Sequence, residues 1–480
     1  MSLRGRVAAL FKGRDEFDLT SGDIGKPLLY LSLPIVVTNL FQTAYNLGDT
    51  FWLGQYSTDA LAAISFAFPM VFLLISLGTG LSVAGSVLVA QHTGADEERA
   101  AEYAASQTIT FALIASVVLG GVGYVFVDEF LALMGASADV LPRAAGYMQV
   151  ISLGLVFMFG FFVFVSLMRG SGDTITPMVV MFGSVVLNIA LDPFVIFGWG
   201  PFPELGMQGA AIATVFSRGL AMLVGLAIML AGTRGVQIHL ADMVPDAASL
   251  RRLLRIGIPA SVEGMGRALS INLLLVVVGT FSTTVVAGYG IGTRVFSVIF
   301  LPAIAVARGV ETMTGQNMGA GKPDRAEAAV RLASKTLFGV LTAAGVVVWV
   351  AAAPLASVFT TDPAVVDVAT EFLRYVALTF GFIGVMRAYT GSFRGAGKTL
   401  TAAAISVAML GGIRLPLAWF TADPFGETGI WAAFAVSNVA GAAIAYAWYQ
   451  RDTWRDADVT DAAADAPGRS PDPDARTTDD

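Results

Sequence analysis

Residues 169–175 read RGSGDTI, and at an offset of 225 positions residues 394–400 read RGAGKTL. The same offset relates Pro34 to Pro259, Ser57 to Ser282, Gln91 to Gln316 and Gly94 to Gly319. An internal repeat through a hydrophobic chain is the signature of a two-lobed transporter whose cargo sits where the lobes meet. Mismatches between the copies are as informative as matches. Asp49 falls opposite Leu274, so an acid of the first copy is missing from the second.

The repeat lies in an apolar setting. Of the 480 residues, 55% are hydrophobic and 14% charged, whereas a soluble domain carries roughly 25% charged residues. Twelve apolar runs are long enough to cross a bilayer, at about 27–54, 60–91, 100–127, 143–169, 175–198, 207–232, 252–280, 286–316, 325–359, 365–393, 399–421 and 428–450. They are continuous rather than alternating, which indicates helices and not barrel strands. The expected fold is an all-α integral membrane protein: twelve transmembrane helices in two six-helix lobes related by a pseudo-two-fold axis along the membrane normal. Its parts are an N-terminal segment (1–26), an N-lobe (27–232), a linker (233–251), a C-lobe (252–450) and a disordered acidic tail (451–480).

Charge sets the orientation. Arg99, Arg169, Arg234, Lys322, Arg394 and Arg451 crowd one set of loops, while GQYSTDALA (54–62), FGWGPFPELG (197–206) and TADPFGETG (421–429) hold no Lys or Arg. The positive-inside rule then puts both termini in the cytoplasm of a multi-pass protein of the cell membrane. With no cysteine, disulfides, thiolate chemistry and Cys-ligated metals are excluded. Two histidines, His92 and His239, are too few for a His-based metal site or relay, so neither an enzyme nor a cofactor is expected. The bilayer and small molecules are the expected partners; no nucleic acid is, and the chain is expected to be a monomer.

Chemistry must come from polar groups inside the spans, where an ionisable side chain costs about 2.5–3.5 kcal/mol even on lenient insertion scales. Two acids of the N-lobe stand out: Asp49 in NLFQTAYNLGDTFWLG (39–54) of span 1, and Asp192 in SVVLNIALDPFVIFG (184–198) of span 5. Asn188 lies one turn before Asp192, and Gln42 and Tyr45 lie two turns and one turn before Asp49, on the same helical faces. Pro193 removes a backbone donor and frees a carbonyl to face a cavity. Thr214 of span 6 adds a hydroxyl. If these faces converge, they form a buried pocket of two carboxylates and several neutral oxygens, suited to one small cation. A proton can load there, because two carboxylates in an apolar setting do not both stay ionised cheaply. Carboxylate, amide and hydroxyl oxygens suit Na⁺ equally, so H⁺ and Na⁺ both stay open. The plainer reading is that each acid only caps a helix near the headgroups. Met181 belongs to a set of Met and Phe residues in spans 4 and 5 that suits packing or a promiscuous cavity wall.

The two-copy pattern, the loops LMRGSGDT (167–174) and FRGAGKT (393–399), and the NxxxDP of span 5 resemble the multidrug and toxic compound extrusion (MATE) transporters. The resemblance runs from about residue 20 to 450 and is closest to the archaeal, DinF-like branch, whose cation site lies in the N-lobe. It implies that the family's span-1 aspartate is Asp49, its span-5 pair Asn188 and Asp192, and its span-6 threonine Thr214. Its flanking polar pair falls on Gln42 and Tyr45, and the proline at which span 1 bends falls on Pro34. The implied activity is secondary active export by alternating access: amphipathic, often cationic organic compounds leave as H⁺ or Na⁺ enters.

Two departures accompany the resemblance. Val165 stands near a position where family members often carry Asn, which makes that wall less polar. Another branch pairs a span-7 Glu with a span-10 acid; Glu263 matches the first, but span 10 (375–393) has no acid, and Arg267 one turn away offers a simple ion pair. The alternative within transport is a flippase for lipid-linked oligosaccharides, expected to carry a strongly cationic cavity, for which Arg294 and Arg414 are the candidates.

Overall fold

A computed structural model describes residues 18–133 and 141–455. Most of the 1–26 segment and of the 451–480 tail lies outside the described residues. All regular structure within them is helical. The N-lobe comprises α1 (Gly25–Tyr56), α2 (Thr58–Gly94), α3 (Glu98–Val125), the short α4 (Val127–Leu133), α5 (Leu141–Leu153), α6 (Leu155–Gly170), α7 (Ile175–Phe197) and α8 (Gly206–Ala231). A turn of 3₁₀ helix, Leu240–Met243, precedes α9 (Ala247–Val278), which begins within the stretch expected as linker. The C-lobe continues with α10 (Thr283–Ile299), α11 (Leu301–Gly319), α12 (Pro323–Val350), α13 (Ala352–Ser357), α14 (Pro363–Ala377) and α15 (Phe380–Gly395). It closes with α16 (Thr399–Val407), a π-helical turn (Ala408–Arg414) and α17 (Leu415–Tyr449).

Three spans are bent: α5–α6 by 54°, α10–α11 by 40° and α14–α15 by 53°. The stretch Thr399–Tyr449 is 51 residues long, about twice what a bilayer needs. Gly426, at φ 61° and ψ −150°, breaks it into two spans. Counting each bent pair once then gives the twelve spans expected.

The repeat is legible residue by residue. Ser57 caps α2 by accepting the N–H of Ala60 at 3.0 Å, and its counterpart Ser282 caps α10 through Val285 at 3.4 Å. Gly172 and Gly397 hold φ of +96° and +78°, a left-handed conformation in which a Cβ would be strained, and this turns the chain into α7 and α16. Asp173 accepts the N–H groups of Ile175 and Thr176 at 3.1 and 2.9 Å, satisfying donors at the start of α7. Lys398, in the matching place, makes no such cap.

The lobes meet along α2 with α9 and α11, and along α1 with α11. At the end carrying the basic loops the two copies cross. A Cβ on Gly94 would lie 1.9 Å from the carbonyl oxygen of Gln316, and one on Gly319 1.9 Å from that of Gln91. The Gln91 amide donates to the Gly395 carbonyl at 2.9 Å, and Gln316 donates to Gly170 at 3.1 Å, so the pseudo-two-fold passes between them. Arg325 and Lys322 add hydrogen bonds to the carbonyls of Leu19, Thr20, Ser21, Gly22 and Asp23. These hydrogen bonds gather at the basic end; deeper in the seam, Ser261 donates to the Leu77 carbonyl at 3.1 Å.

The two cores differ. The C-lobe packs one continuous apolar cluster, centred on Tyr289, Phe372, Phe380, Trp431 and Phe434. The N-lobe core is split. One cluster holds Leu53, Ile196 and Met207, and the other holds Tyr45, Met181, Val185 and Met222. In α1, α7 and α8 alike, a layer of polar side chains interrupts the apolar sequence between them.

Candidate functional site

That layer is built from three pairs of residues, each pair one helical turn apart. Tyr45 and Asp49 come from α1, Asn188 and Asp192 from α7, and Thr214 and Arg218 from α8. The i, i+4 spacing puts both members of each pair on one face, and the packing of α7 against α1 and α8 turns the faces toward one another. All six side chains are buried; Asn188 and Asp192 are 0% exposed and Asp49 is 6% exposed. The four residues expected to hold a cation therefore occupy one layer.

Asp49 and Asp192 lie within reach of each other, and Thr214 and Arg218 act on Asp49. Two ionised carboxylates are both acceptors and cannot satisfy each other. Asn188 donates weakly to Asp192 Oδ1 at 3.4 Å. Five buried oxygens make no well-aligned hydrogen bond: the Tyr45 hydroxyl, Asp49 Oδ1, Asn188 Oδ1, Asp192 Oδ2 and Thr214 Oγ1. A buried polar atom without a good hydrogen bond is costly, and here five converge. Their chemistry, two carboxylates with an amide, a hydroxyl and a phenol, is that of a small hard cation or a proton.

Arg218 is the member of the layer that the sequence reading did not single out. It donates to Gln42 Oε1 at 2.9 Å and approaches Met181 Sδ at 2.9 Å. Its guanidinium stacks 4.5 Å over the Tyr45 ring and 5.0 Å from that of Phe161. Gln42, Tyr45 and Met181, taken as cavity or cation-site support, thus share one immediate contact. The signal was present in the sequence: an arginine inside span 6, one turn past Thr214, is as costly in a membrane as the acids. Pro34 is buried within α1; its ring lacks the N–H that would reach the Tyr30 carbonyl one turn back, and that carbonyl accepts the Thr174 hydroxyl at 3.5 Å instead.

The C-lobe layer is different. Arg414 is buried and bonds Ser437 at 2.9 Å and Asn438 at 2.6 Å, over the face of Phe434, while Arg294 is exposed. Glu263 is buried and ion-paired, with Arg267 at 3.1 Å as its i, i+4 partner and Arg394 of α15 at 3.1 Å; Ser406 donates to it at 2.8 Å. Its carboxylate is satisfied where those of the N-lobe are not.

The MatE family profile matches this chain twice, over residues 34–194 and 259–420, two stretches that start 225 residues apart. An FAD transporter of Shewanella oneidensis is 30% identical over 84% of this chain and 90% of its own length. The probable multidrug resistance protein YoeA of Bacillus subtilis is 29% identical over 82% of this chain and 87% of its own. The outward-facing structure of a multidrug resistance MATE family transporter superposes with a TM-score of 0.85 at 25% identity, covering 92% of this chain and 98% of that one. The repeat, the twelve spans and both profile matches agree: the chain belongs to the MatE family of multidrug and toxic compound extrusion transporters, and it is a membrane transporter rather than an enzyme.

Proposed function

We propose that this protein is a secondary active exporter of amphipathic organic compounds, driven by H⁺ or Na⁺ bound in the N-lobe. The observation that carries this reading is the set of five buried oxygens without well-aligned hydrogen bonds around Asp49 and Asp192. Charge supports it as well. Two carboxylates and the Arg218 guanidinium sum to one negative charge, which a single monovalent cation balances. Binding that cation removes the repulsion between Asp49 and Asp192, draws α1 toward α7, and favours a bend of α1 at Pro34. Cargo and ion need not touch; they need only prefer different conformations.

The crossed seam at the basic end supports an arrangement closed on that side, with the basic loops and both termini in the cytoplasm of the cell membrane. The test is efflux of an ethidium-like dye from proteoliposomes, energised first by a pH gradient alone and then by a Na⁺ gradient alone. Asp49→Asn and Asp192→Asn should each abolish the driven component; efflux retained in both variants refutes the site. A second reading, a flippase for lipid-linked oligosaccharides, draws support from the surplus of arginines over acids inside the C-lobe. It predicts no dye efflux in either gradient.

A further inference from the structure

The half of the C-lobe nearer the basic loops holds more positive charge than it can neutralise. Two buried acids, Glu263 and Glu311, serve five guanidiniums. Arg394 bridges both, at 3.1 Å to Glu263 and 3.2 Å to Glu311. Arg267 shares Glu263 at 3.1 Å, and Arg308 shares Glu311 at 2.9 Å. Arg169 arrives from α6 of the other lobe, where Arg308, Glu311 and Arg394 all act on it. Arg387 of α15 has no ion pair and no side-chain hydrogen bond among the described residues, and the charge acting on it most strongly is that of Arg267.

Three features make this more than a structural ion network. The surplus is three positive charges. The Nε atoms of Arg169, Arg267 and Arg387, together with Glu311 Oε1, are buried without partners. And the surplus charge is partly accessible: the side chains of Arg267 and Arg308 are 32% and 25% exposed, and Arg387 is half-buried. Charged side chains inside a membrane bundle face its interior or a water-filled cavity rather than acyl chains, and partly exposed edges point to the latter, a cleft. Arg169 places that cleft at the junction of the lobes. Like charges held together with open donors are a receptor for an oxyanion, and planar guanidiniums bind phosphate oxygens two at a time.

We propose that the cargo carries a phosphate or diphosphate group, held by Arg267, Arg308 and Arg387 in the cleft between the lobes. This rests on the export reading and narrows its substrate class, from amphipathic organic compounds to amphipathic organic phosphates. A phosphate monoester carries about two negative charges at neutral pH, enough to offset most of the surplus. The same chemistry is found on a soluble aromatic phosphate and on a lipid diphosphate in the bilayer, and the two sources need separate probes.

The test uses the full chain, purified in detergent for one arm and in nanodiscs for the other. In the first, 1-naphthyl phosphate is titrated calorimetrically, with 1-naphthyltrimethylammonium as the cationic counterpart. In the second, farnesyl diphosphate is added to the nanodisc lipid and thermal stabilisation is read. Binding of either phosphate should weaken with salt and fall roughly 10-fold or more in Arg387→Gln, with partial recovery in Arg387→Lys. A response in the first arm assigns a soluble cargo, and a response in the second alone assigns a lipid one. Arg387→Gln should itself melt no lower than wild type, because it removes a like charge and no partner; a structural arginine would lower the melting temperature. Phosphate binding that ignores Arg387→Gln, no phosphate binding at all, or the ammonium compound bound as tightly as the phosphate, overturns the proposal. Neither arm uses an ion gradient. Loss here alongside Asp49- and Asp192-dependent dye efflux leaves the export reading standing, and binding seen without such efflux separates the two in the other direction.

Discussion

The two lobes descend from one repeat yet treat buried charge in opposite ways. In the N-lobe, Asp49 and Asp192 meet across α1 and α7 with oxygens lacking well-aligned hydrogen bonds around them, and the apolar core parts into two clusters to make room. In the C-lobe, Glu263 and Glu311 are tied into guanidiniums and the core runs unbroken. Unpaired acids are the groups whose energy a visiting cation can change, and acids already ion-paired hold a wall in place. Under the export reading proposed above, the moving part lies in the N-lobe and the fixed part in the C-lobe.

The strongest way to break this assignment is to neutralise one acid on each side. Asp49→Asn or Asp192→Asn should remove driven efflux while leaving the melting temperature unchanged or raised, since each relieves repulsion between two carboxylates. Glu263→Gln should do the reverse to stability. It strips a counter-charge from Arg267 and Arg394, and breaking a buried network of this kind costs about 3–5 kcal/mol. Melting curves of the three variants, set beside dye efflux, read both effects. If Glu263→Gln melts like wild type, the C-lobe network is not the fixed wall proposed here.

Much of this architecture was written in the sequence. The offset of 225 residues, the twelve apolar runs and the two acids required only counting and the cost of charge in lipid. The matches Gln91 with Gln316 and Gly94 with Gly319 were visible as well, but not their reason, which is that each copy crosses the other at the seam. The breaks at Gly154 and Thr379, in two of the three bent spans, are likewise repeat counterparts, hidden because hydropathy runs straight across them. Arg218 was within reach of the rule that found Asp49 and Asp192. The arginine cluster was not: α6, α9, α11 and α15 bring together residues more than 200 positions apart, and the sequence offered only the local pairs Glu263–Arg267 and Arg308–Glu311.

A sharper test of the seam follows from its close approach. Gly94→Ala and Gly319→Ala each place a carbon 1.9 Å from a backbone carbonyl oxygen of the opposite lobe, which no side-chain rotation relieves. The basic end should then stay open, and efflux should fall about tenfold for each 1.4 kcal/mol by which closure is disfavoured. Labelling of a cysteine introduced near Gln316 should speed up correspondingly. Arg325→Ala acts on the same closure more gently. It removes hydrogen bonds to the carbonyls of Leu19, Ser21, Gly22 and Asp23 that are partly exposed to water, so labelling should rise less than in the glycine variants.

The smallest effect is the most direct comparison of the two copies. Asp173 caps α7 by accepting the N–H groups of Ile175 and Thr176 and the Thr176 hydroxyl, the last at 2.6 Å. Lys398 stands in the same place before α16, followed likewise by a threonine, with a glycine of positive φ before it, and leaves the helix start uncapped. If the repeat preserves local geometry, the cap should be portable. Asp173→Ala should cost about 1 kcal/mol, the usual price of a lost cap. Lys398→Asp should recover a comparable amount in the other lobe, because it adds a side-chain acceptor where there is none and places an acid at the positive end of the helix dipole. Melting temperatures of the two single variants should therefore move in opposite directions, and the double variant should fall close to wild type because the sites are far apart. A drop in both single variants would mean that the loops match in sequence and turn but not in the orientation of their first helical N–H groups.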